Sequence, residues 1–64
     1  MGYKKIYEGL PPRKVNNKYY DYSISFYSRS EANDEKNYYK KEGYNACIIK
    51  GKHNNRDTFR VYTN

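Results

Sequence analysis

Apolar and polar residues alternate most clearly in residues 19–27. Tyr20, Tyr22, Ile24 and Phe26 occupy every second position there, and Asp21, Ser23 and Ser25 lie between them. A period of two places one apolar and one polar face on an extended chain. We therefore predict a half-buried strand over residues 19–27.

The residues after this strand carry the start and stop signals of a helix. Ser28 and Glu31 have the spacing of a capping box, in which each side chain binds an amide of the first turn. Lys40 and Lys41 suit the negative end of the helix dipole, and Gly43 suits the left-handed position that ends a helix. These signals predict a helix over about residues 29–42. Its apolar stripe is thin and consists of Ala32, the stem of Lys36, Tyr39 and the adjacent Tyr38.

Two further strands are predicted after the helix. Residues 44–50 contain the continuous apolar run from Ala46 to Ile49, which is typical of an inner strand covered on both sides. Residues 51–57 are polar and predict a turn, after which Phe59 and Val61 alternate with Arg60 and Tyr62 in a strand over residues 58–63. The short connection makes these two strands antiparallel.

The first eighteen residues differ from the rest, and we divide the chain into an N-terminal arm, 1–18, and a domain, 19–64. Tyr3, Ile6, Tyr7 and Leu10 have helical spacing, but Pro11-Pro12 stops any helix, so a turn or two of helix or a short edge strand is expected. Asn16-Asn17 suits a tight turn, which would pair residues 13–15 with the next strand as a hairpin. The alternative is an arm packed loosely on the domain.

The predicted fold is α+β, with the order β-α-β-β after the arm. A right-handed crossover makes the first two main strands parallel and gives a mixed sheet of three strands, or four with the arm. One helix covers one face of such a sheet. The other face is therefore expected to be bare and to expose some of Tyr19, Ser23, Ser25, Tyr27, Cys47, Ile49, Arg60 and Tyr62.

Composition changes the expected core. Leu, Ile, Val and Phe together supply only nine of 64 residues, a share that with the net charge of +6 is typical of disordered chains. Ten tyrosines offset this deficit, because a tyrosine buries its ring while its hydroxyl finds a partner. We expect one small folded domain with a tyrosine-rich core.

Several classes of protein are excluded by what the sequence lacks. No stretch approaches the roughly 20 apolar residues of a membrane span, and no apolar segment follows the N-terminus as in a signal peptide. We therefore expect a cytoplasmic protein with no membrane partner. Cys47 is the single cysteine, which rules out an internal disulfide and, with no further ligands at suitable spacing, a metal site. We expect Cys47 to be a small packing residue, and we expect no cofactor.

The positive charge favours polyanions, above all nucleic acid. Lys, Asn, Tyr and Ile are also the residues that A/T-rich codons encode, so the composition has an alternative explanation. On the bare face, exposed tyrosines would stack bases and cations would neutralise phosphates. The predicted stacking residues are Tyr27, Arg60 and Tyr62, and the predicted backbone contacts are Lys50, Lys52, Arg56, Arg13 and Lys14. We expect replacement of Arg60 and Tyr62 by alanine to abolish binding with little loss of fold.

A protein partner is the alternative to nucleic acid. A small, basic, non-enzymatic domain with a bare sheet face and an open edge also suits an inhibitor or adaptor of a mobile element or virus. Salt distinguishes the two classes, because phosphate contacts weaken steeply with added salt. A protein interface centred on tyrosines should tolerate salt.

Three segments together resemble a known family. Ser28-Arg-Ser-Glu-Ala32, Tyr39-Lys-Lys-Glu-Gly-Tyr44 and Phe59-Arg-Val-Tyr62 resemble the first half of a SPOR domain, over about 45 residues. The resemblance implies a β-α-β-β order and, in that family, binding to peptidoglycan glycan strands outside the cytoplasmic membrane. The second half of the SPOR domain is absent here. A half-repeat would complete its sheet by pairing an edge with a second copy, which predicts a homodimer.

A second resemblance concerns the histidine. Gly43-Tyr44 is followed by six residues and then by Gly51-Lys52-His53. This spacing resembles that of HicA-type toxins, small ribonucleases marked by Gly-aromatic, six residues and Gly-Ser-His, with the histidine catalytic. Lys52 replaces the serine here, and no closing helix follows the last strand. The resemblance implies that His53 is the catalytic base of a ribonuclease, and the alternative is a solvated turn residue.

Overall fold

The computed structural model describes residues 5–64, so Tyr3 of the arm lies outside the described part. The elements in chain order are β1 (Lys5–Ile6), β2 (Arg13–Val15), β3 (Lys18–Phe26), α1 (Arg29–Lys41), β4 (Ala46–His53) and β5 (Arg56–Thr63). The predicted α+β class is confirmed. Among the described residues, no helix has the length and apolarity that crossing a membrane requires.

The sheet has the order β1-β3-β5-β4, and β2 pairs separately with β3. Every pairing is antiparallel, so the expectation of a mixed sheet is wrong. The reason is that β5, which forms a hairpin with β4, lies on the inner side of that hairpin. It therefore inserts between β3 and β4. As a result β4 lies at an edge, and the predicted inner position of its apolar run is also wrong.

Both hairpins turn on a pair of asparagines. Asn16 and Asn17 connect β2 to β3, and Asn54 and Asn55 connect β4 to β5, all four with φ between 50° and 67°. Positive φ at both central positions is the geometry of the two-residue turn that matches strand twist, and asparagine tolerates it well. The predicted loop over residues 51–57 is therefore wrong, because pairing continues up to His53 opposite Arg56.

The helix begins and ends close to the predicted residues, but its N-terminal cap differs from the predicted one. Ser28 is the N-cap residue, and its side chain makes no capping hydrogen bond, so the expected capping box is not formed. At the other end Gly43 has φ of 93° and donates its N–H to the Lys40 carbonyl at 3.1 Å. Tyr44 donates to the Tyr39 carbonyl at 3.0 Å, which completes the Schellman motif that left-handed glycine permits.

The core lies between α1 and one face of the sheet. Phe26, Ala32 and Val61 are fully buried there. Partly buried hydrophobic residues surround them, namely Ile24, Tyr39, Ile48 and Phe59. Tyr62, at 3% exposure, is also buried, whereas Tyr7, Tyr19, Tyr38 and Tyr44 are exposed, so tyrosine contributes to the core without dominating it as expected.

A change of register in β3 decides which residues face away from the helix. Tyr22 pairs with Tyr62, whereas Ile24 pairs with Val61, so the pairing slips by one residue at Ser23. Such an irregularity turns the side chains that follow it to the other face. The apolar residues predicted to share one face are thus divided, and the Ser23 hydroxyl lies 2.7 Å from that of Tyr39 on the helix. We call the opposite surface the back face; it carries Tyr22, Ser25, Thr58, Arg60 and Tyr62.

Candidate functional site

The back face is covered by the N-terminal arm, so the expectation of a bare face is wrong. Strand β1 pairs with β3 along its free edge, and the next two residues, Tyr7 and Glu8, lie across the sheet. The Tyr7 ring is 5.5 Å from the Tyr22 ring. The Glu8 amide donates to the Tyr22 hydroxyl at 3.0 Å, and the Glu8 side chain is only 5% exposed.

Glu8 is the centre of a polar cluster. One carboxylate oxygen, Oε2, accepts hydrogen bonds from Arg60 Nε at 2.9 Å and from Ser25 Oγ at 2.5 Å. The other oxygen, Oε1, accepts from Arg60 Nη2 at 3.1 Å and lies 3.6 Å from His53 Nδ1. Arg60 therefore binds Glu8 through both of its forked donors, the geometry that gives this ion pair its strength.

The hydroxyl protons of the cluster follow from the charge on Glu8. Because a carboxylate only accepts, the Ser25 hydroxyl donates to Glu8. Ser25 Oγ then accepts from the Tyr22 hydroxyl, which is 2.6 Å away. Tyr22 in turn accepts from the Glu8 amide, which closes a ring of hydrogen bonds; the Ile6 carbonyl, at 3.2 Å, is a longer second acceptor for the Tyr22 proton. Closed networks of this kind fix the arm in one position.

The ion pair keeps both partners charged. The hydrogen bond from Arg60 holds the pKa of Glu8 below its ordinary value, although burial alone would raise that pKa. The same hydrogen bond raises the pKa of Arg60. Glu8 is therefore an anion in the folded protein.

Gly51 provides the space that Arg60 occupies. A β-carbon at position 51 would lie 2.2 Å from Arg60 Cζ, far inside any permissible contact. The guanidinium thus lies directly over the backbone of β4, where its Nη2 also donates to the Lys52 carbonyl at 3.1 Å. Gly51 and Lys52 hold Arg60 in place independently of Glu8.

Two of the predicted stacking residues are not available at the surface. Tyr62 is only 3% exposed and contacts the Tyr22 ring edge-on at a centroid distance of 5.6 Å. Arg60 is occupied by Glu8. Their joint replacement by alanine would remove packed groups, so the expectation of little loss of fold does not suit this structure.

The remaining predicted residues on β4 and β5 lie on the two strands that the Asn54-Asn55 turn joins; Arg56 pairs with His53, whereas the alternation along β4 places Lys50 and Lys52 on the opposite face of this hairpin. We call this group the hairpin end; it comprises Tyr27, Lys50, Lys52, His53 and Arg56. The Arg56 guanidinium lies 3.8 Å from the centroid of the Tyr27 ring, a close cation-π stack. Lys50 makes a loose ion pair with Asp57 at 3.7 Å, and Lys52 is exposed. The His53 side chain is 36% exposed, and its Nδ1 is the atom of the hairpin end that lies near Glu8, at 3.6 Å from Oε1.

Arg13 and Lys14 lie elsewhere. Both are exposed on β2, opposite Tyr20 and Tyr19, where the Lys14 ammonium lies 5.9 Å from the centroid of the Tyr19 ring. At about 3.3 Å per residue, this point on β3 is roughly 25 Å from Tyr27. The predicted cations therefore form two clusters at opposite ends of β3.

Other candidate chemistry has little support in the described residues. Burial raises the pKa of the half-buried Cys47 thiol, and the charges of Arg13 and Lys36 offset this only in part. A nucleophilic thiolate is therefore disfavoured there. Within residues 5–64 no three His, Cys, Asp or Glu side chains lie close enough together to hold a metal ion.

Glu8 is the site residue that the sequence analysis missed. The available signal was that Glu8 is the only acidic residue among the first eighteen, which otherwise carry five cations, Lys4, Lys5, Arg13, Lys14 and Lys18. A lone acid within a basic segment is a natural partner for an arginine elsewhere in the fold.

No protein family matches this sequence, and no curated protein or solved structure shows significant similarity to it. The resemblances to SPOR domains and to HicA-type toxins therefore stay predictions.

Proposed function

We propose that this protein is a small, non-enzymatic nucleic-acid-binding module that binds through its hairpin end. The observation that carries the proposal is the stack of Arg56 on Tyr27. A guanidinium plane backed by an aromatic ring offers a flat, positively charged surface on which an unpaired base can stack. Lys50 and Lys52, on the other face of the same hairpin, would neutralise phosphates as the strand passes around the turn.

Net charge supports the same proposal. The chain carries +6 at neutral pH, and this field attracts any polyanion before specific contacts form. Because base stacking needs exposed rings and unpaired bases, single-stranded nucleic acid is the expected ligand class.

The test uses an Arg56→Ala variant and a fluorescently labelled single-stranded RNA. We expect the variant to lose about 1–3 kcal/mol of binding free energy, as is typical for a lost base stack. The slope of log affinity against log salt should also decrease by about 1, because one phosphate-neutralising charge is gone. Fluorescence anisotropy at several salt concentrations measures both quantities.

Lys14→Ala is the matched control, because it removes the same charge from the cluster at the other end of β3. It should change affinity much less than Arg56→Ala. Equal losses in the two variants would contradict a site at the hairpin end. Salt-independent binding to one protein, with no binding to RNA, would instead favour the inhibitor or adaptor alternative.

A ribonuclease using His53 is the second candidate, and one observation favours it. His53 Nδ1 faces a buried carboxylate at 3.6 Å, and such a partner can fix the orientation and tautomer of a catalytic imidazole. The test is cleavage of a labelled RNA by the wild-type protein and by His53→Ala. Activity that disappears in the variant would support this candidate, and an inactive wild-type protein would eliminate it.

A further inference from the structure

Four donor groups of the sheet converge on the Glu8 carboxylate. Arg60 contributes Nε and Nη2, Ser25 contributes its hydroxyl, and His53 contributes an imidazole nitrogen. Three of these contacts are hydrogen bonds of 2.5 to 3.1 Å. A forked guanidinium with an added hydroxyl and imidazole binds a phosphate as readily as a carboxylate, because both anions present coplanar pairs of oxygens to the fork.

The donor set does not depend on Glu8 for its shape. Arg60 lies in the space left by Gly51 and is held by the Lys52 carbonyl, whereas Ser25 belongs to the central part of β3. If the carboxylate left, these donors would stay in place as a preformed site. Preorganised donors are what make an anion site effective.

A buried hydroxyl next to this cluster lacks a partner. Thr58 is opposite Gly51 on the back face, and its Oγ1 is buried with no hydrogen-bond partner among the described residues. An unsatisfied buried hydroxyl costs free energy. A phosphodiester has more oxygens than a carboxylate and would bring additional acceptors to this face.

Among the described residues, the segment around Glu8 is held by polar contacts and has few apolar ones. Its strand β1 has only two residues, and Tyr7 is 71% exposed although it touches Tyr22. Gly9 has φ of 63°, and Pro11-Pro12 has no amide protons to pair with the sheet. Short segments with few buried apolar contacts open at low free-energy cost.

From these observations we propose that the Glu8 carboxylate occupies a phosphate site formed by Arg60, Ser25 and His53, and that a nucleic-acid phosphate displaces the arm to bind there. The choice of nucleic acid as the source of the phosphate rests on the function proposed above. The two sites are continuous, because His53 contacts Glu8 and also pairs with Arg56 at the hairpin end.

The first experiment compares Glu8→Ala with Glu42→Ala. Each variant raises the net charge from +6 to +7, but Glu42 is exposed after the helix, away from the cluster. We expect Glu8→Ala to bind labelled single-stranded RNA roughly tenfold more tightly than Glu42→Ala, since the hydrogen bonds from Arg60 and Ser25 to Glu8 no longer have to be broken. Inorganic phosphate, followed by NMR, should shift the signals of Ser25, His53 and Arg60 in Glu8→Ala only.

The second experiment uses the wild-type protein and keeps the proposal testable if Glu8→Ala fails to fold. The Glu8 amide is bound to the Tyr22 hydroxyl and should exchange slowly with solvent. Saturating RNA should release the arm and accelerate this exchange at least tenfold, while the amide of Val61 in the core stays protected. Unchanged protection of Glu8 in the RNA complex would overturn the proposal.

The outcomes separate the two proposals. If wild-type protein binds RNA but Glu8→Ala binds no better than Glu42→Ala, the phosphate site is refuted and the hairpin end stands. If phosphate shifts the three signals in Glu8→Ala and RNA binds to no variant, the anion site stands and the proposed function fails. Absence of both effects refutes both.

Discussion

The two faces of the sheet are closed in different ways. On one face α1 covers the sheet through apolar contacts around Phe26, Ala32 and Val61. On the back face the arm covers the sheet mainly through polar contacts that converge on Glu8. Apolar burial is non-directional and follows from area, whereas a polar closure depends on each donor having its acceptor.

This difference also separates structure from function. Burial of a side chain such as Phe26 stabilises the folded state by roughly 1.5–3 kcal/mol. Several such side chains keep the helix on the sheet. A hydrogen bond to a charged group such as the Glu8 carboxylate contributes about 1.5–3 kcal/mol net, because water competes for both partners. A ligand that offers the same hydrogen bonds can therefore replace the arm but not the helix. The back face is therefore the side of the molecule on which we place the proposed ligand.

The largest expected effect comes from the helix face. Phe26→Ala should cost about 3–5 kcal/mol through lost burial and the cavity left behind. A chain of this length has a total stability of about 3–10 kcal/mol, so the variant should lose from about a third to all of its stability. Urea denaturation followed by circular dichroism measures the loss.

Tyr19→Ala is the control for this prediction, because Tyr19 is exposed on β3 near the end remote from Tyr27. Its replacement should change stability by no more than about 0.5 kcal/mol. A folded Phe26→Ala protein with nearly unchanged stability would show that the helix face is not the structural face.

The helix face was predictable from the sequence because its signals are local. The alternation before Phe26, the glycine after the helix and the asparagine pair at 16–17 each act through neighbouring residues. The predicted strand and helix accordingly agree with β3 and α1 to within one residue. Local signals did not give the strand order. The position of β5 between β3 and β4 depends on which strand edge pairs with β3, and that pairing joins residues far apart in the chain.

The back face was not predictable in the same way. Its closure depends on the register slip at Ser23, which turns Tyr22 away from the helix, and on Glu8 reaching Arg60 fifty-two residues later. Neither feature is visible in the spacing of apolar residues, whose period of two indicates a strand and whose period of 3.6 indicates a helix. Of the predicted hairpin-end residues, Arg56 and Tyr27 stack on each other, while Lys50 and Lys52 lie on the other face of the same hairpin. Arg13 and Lys14 do not join them.

A smaller effect tests whether Arg60 is held in place by the shape of β4. Gly51→Ala should destabilise the protein by about 1–3 kcal/mol, because the new methyl group would collide with the Arg60 guanidinium. In an Arg60→Ala background the same change should be neutral or stabilising, since alanine is otherwise preferred to glycine within a strand. The four proteins form a double-mutant cycle, measured by urea denaturation. Equal effects of Gly51→Ala in both backgrounds would mean that Arg60 does not need this space.

The smallest expected effect is the contribution of Glu8 to acid stability. The pKa of Glu8 is lower in the folded protein than in the unfolded chain, where a glutamate has a pKa of about 4.3. Its stabilising contribution is therefore complete above that value and is lost as the pH falls through the lower pKa of the folded state. Wild-type protein should lose more unfolding free energy between pH 5 and pH 2 than Glu8→Gln, whose side chain does not titrate.

Arg60, His53 and Tyr22 face position 8 in wild type and variant alike, so the two proteins differ only in the side chain at that position. Glu42→Gln provides the second reference, because it removes the same charge from an exposed position outside the cluster. If Glu8→Gln and wild type followed the same curve, the carboxylate would already be protonated or unpaired in solution. The back face would then be closed by the Tyr7 ring and β1 alone, and the comparison between a helix held by burial and an arm held by one anion would no longer apply.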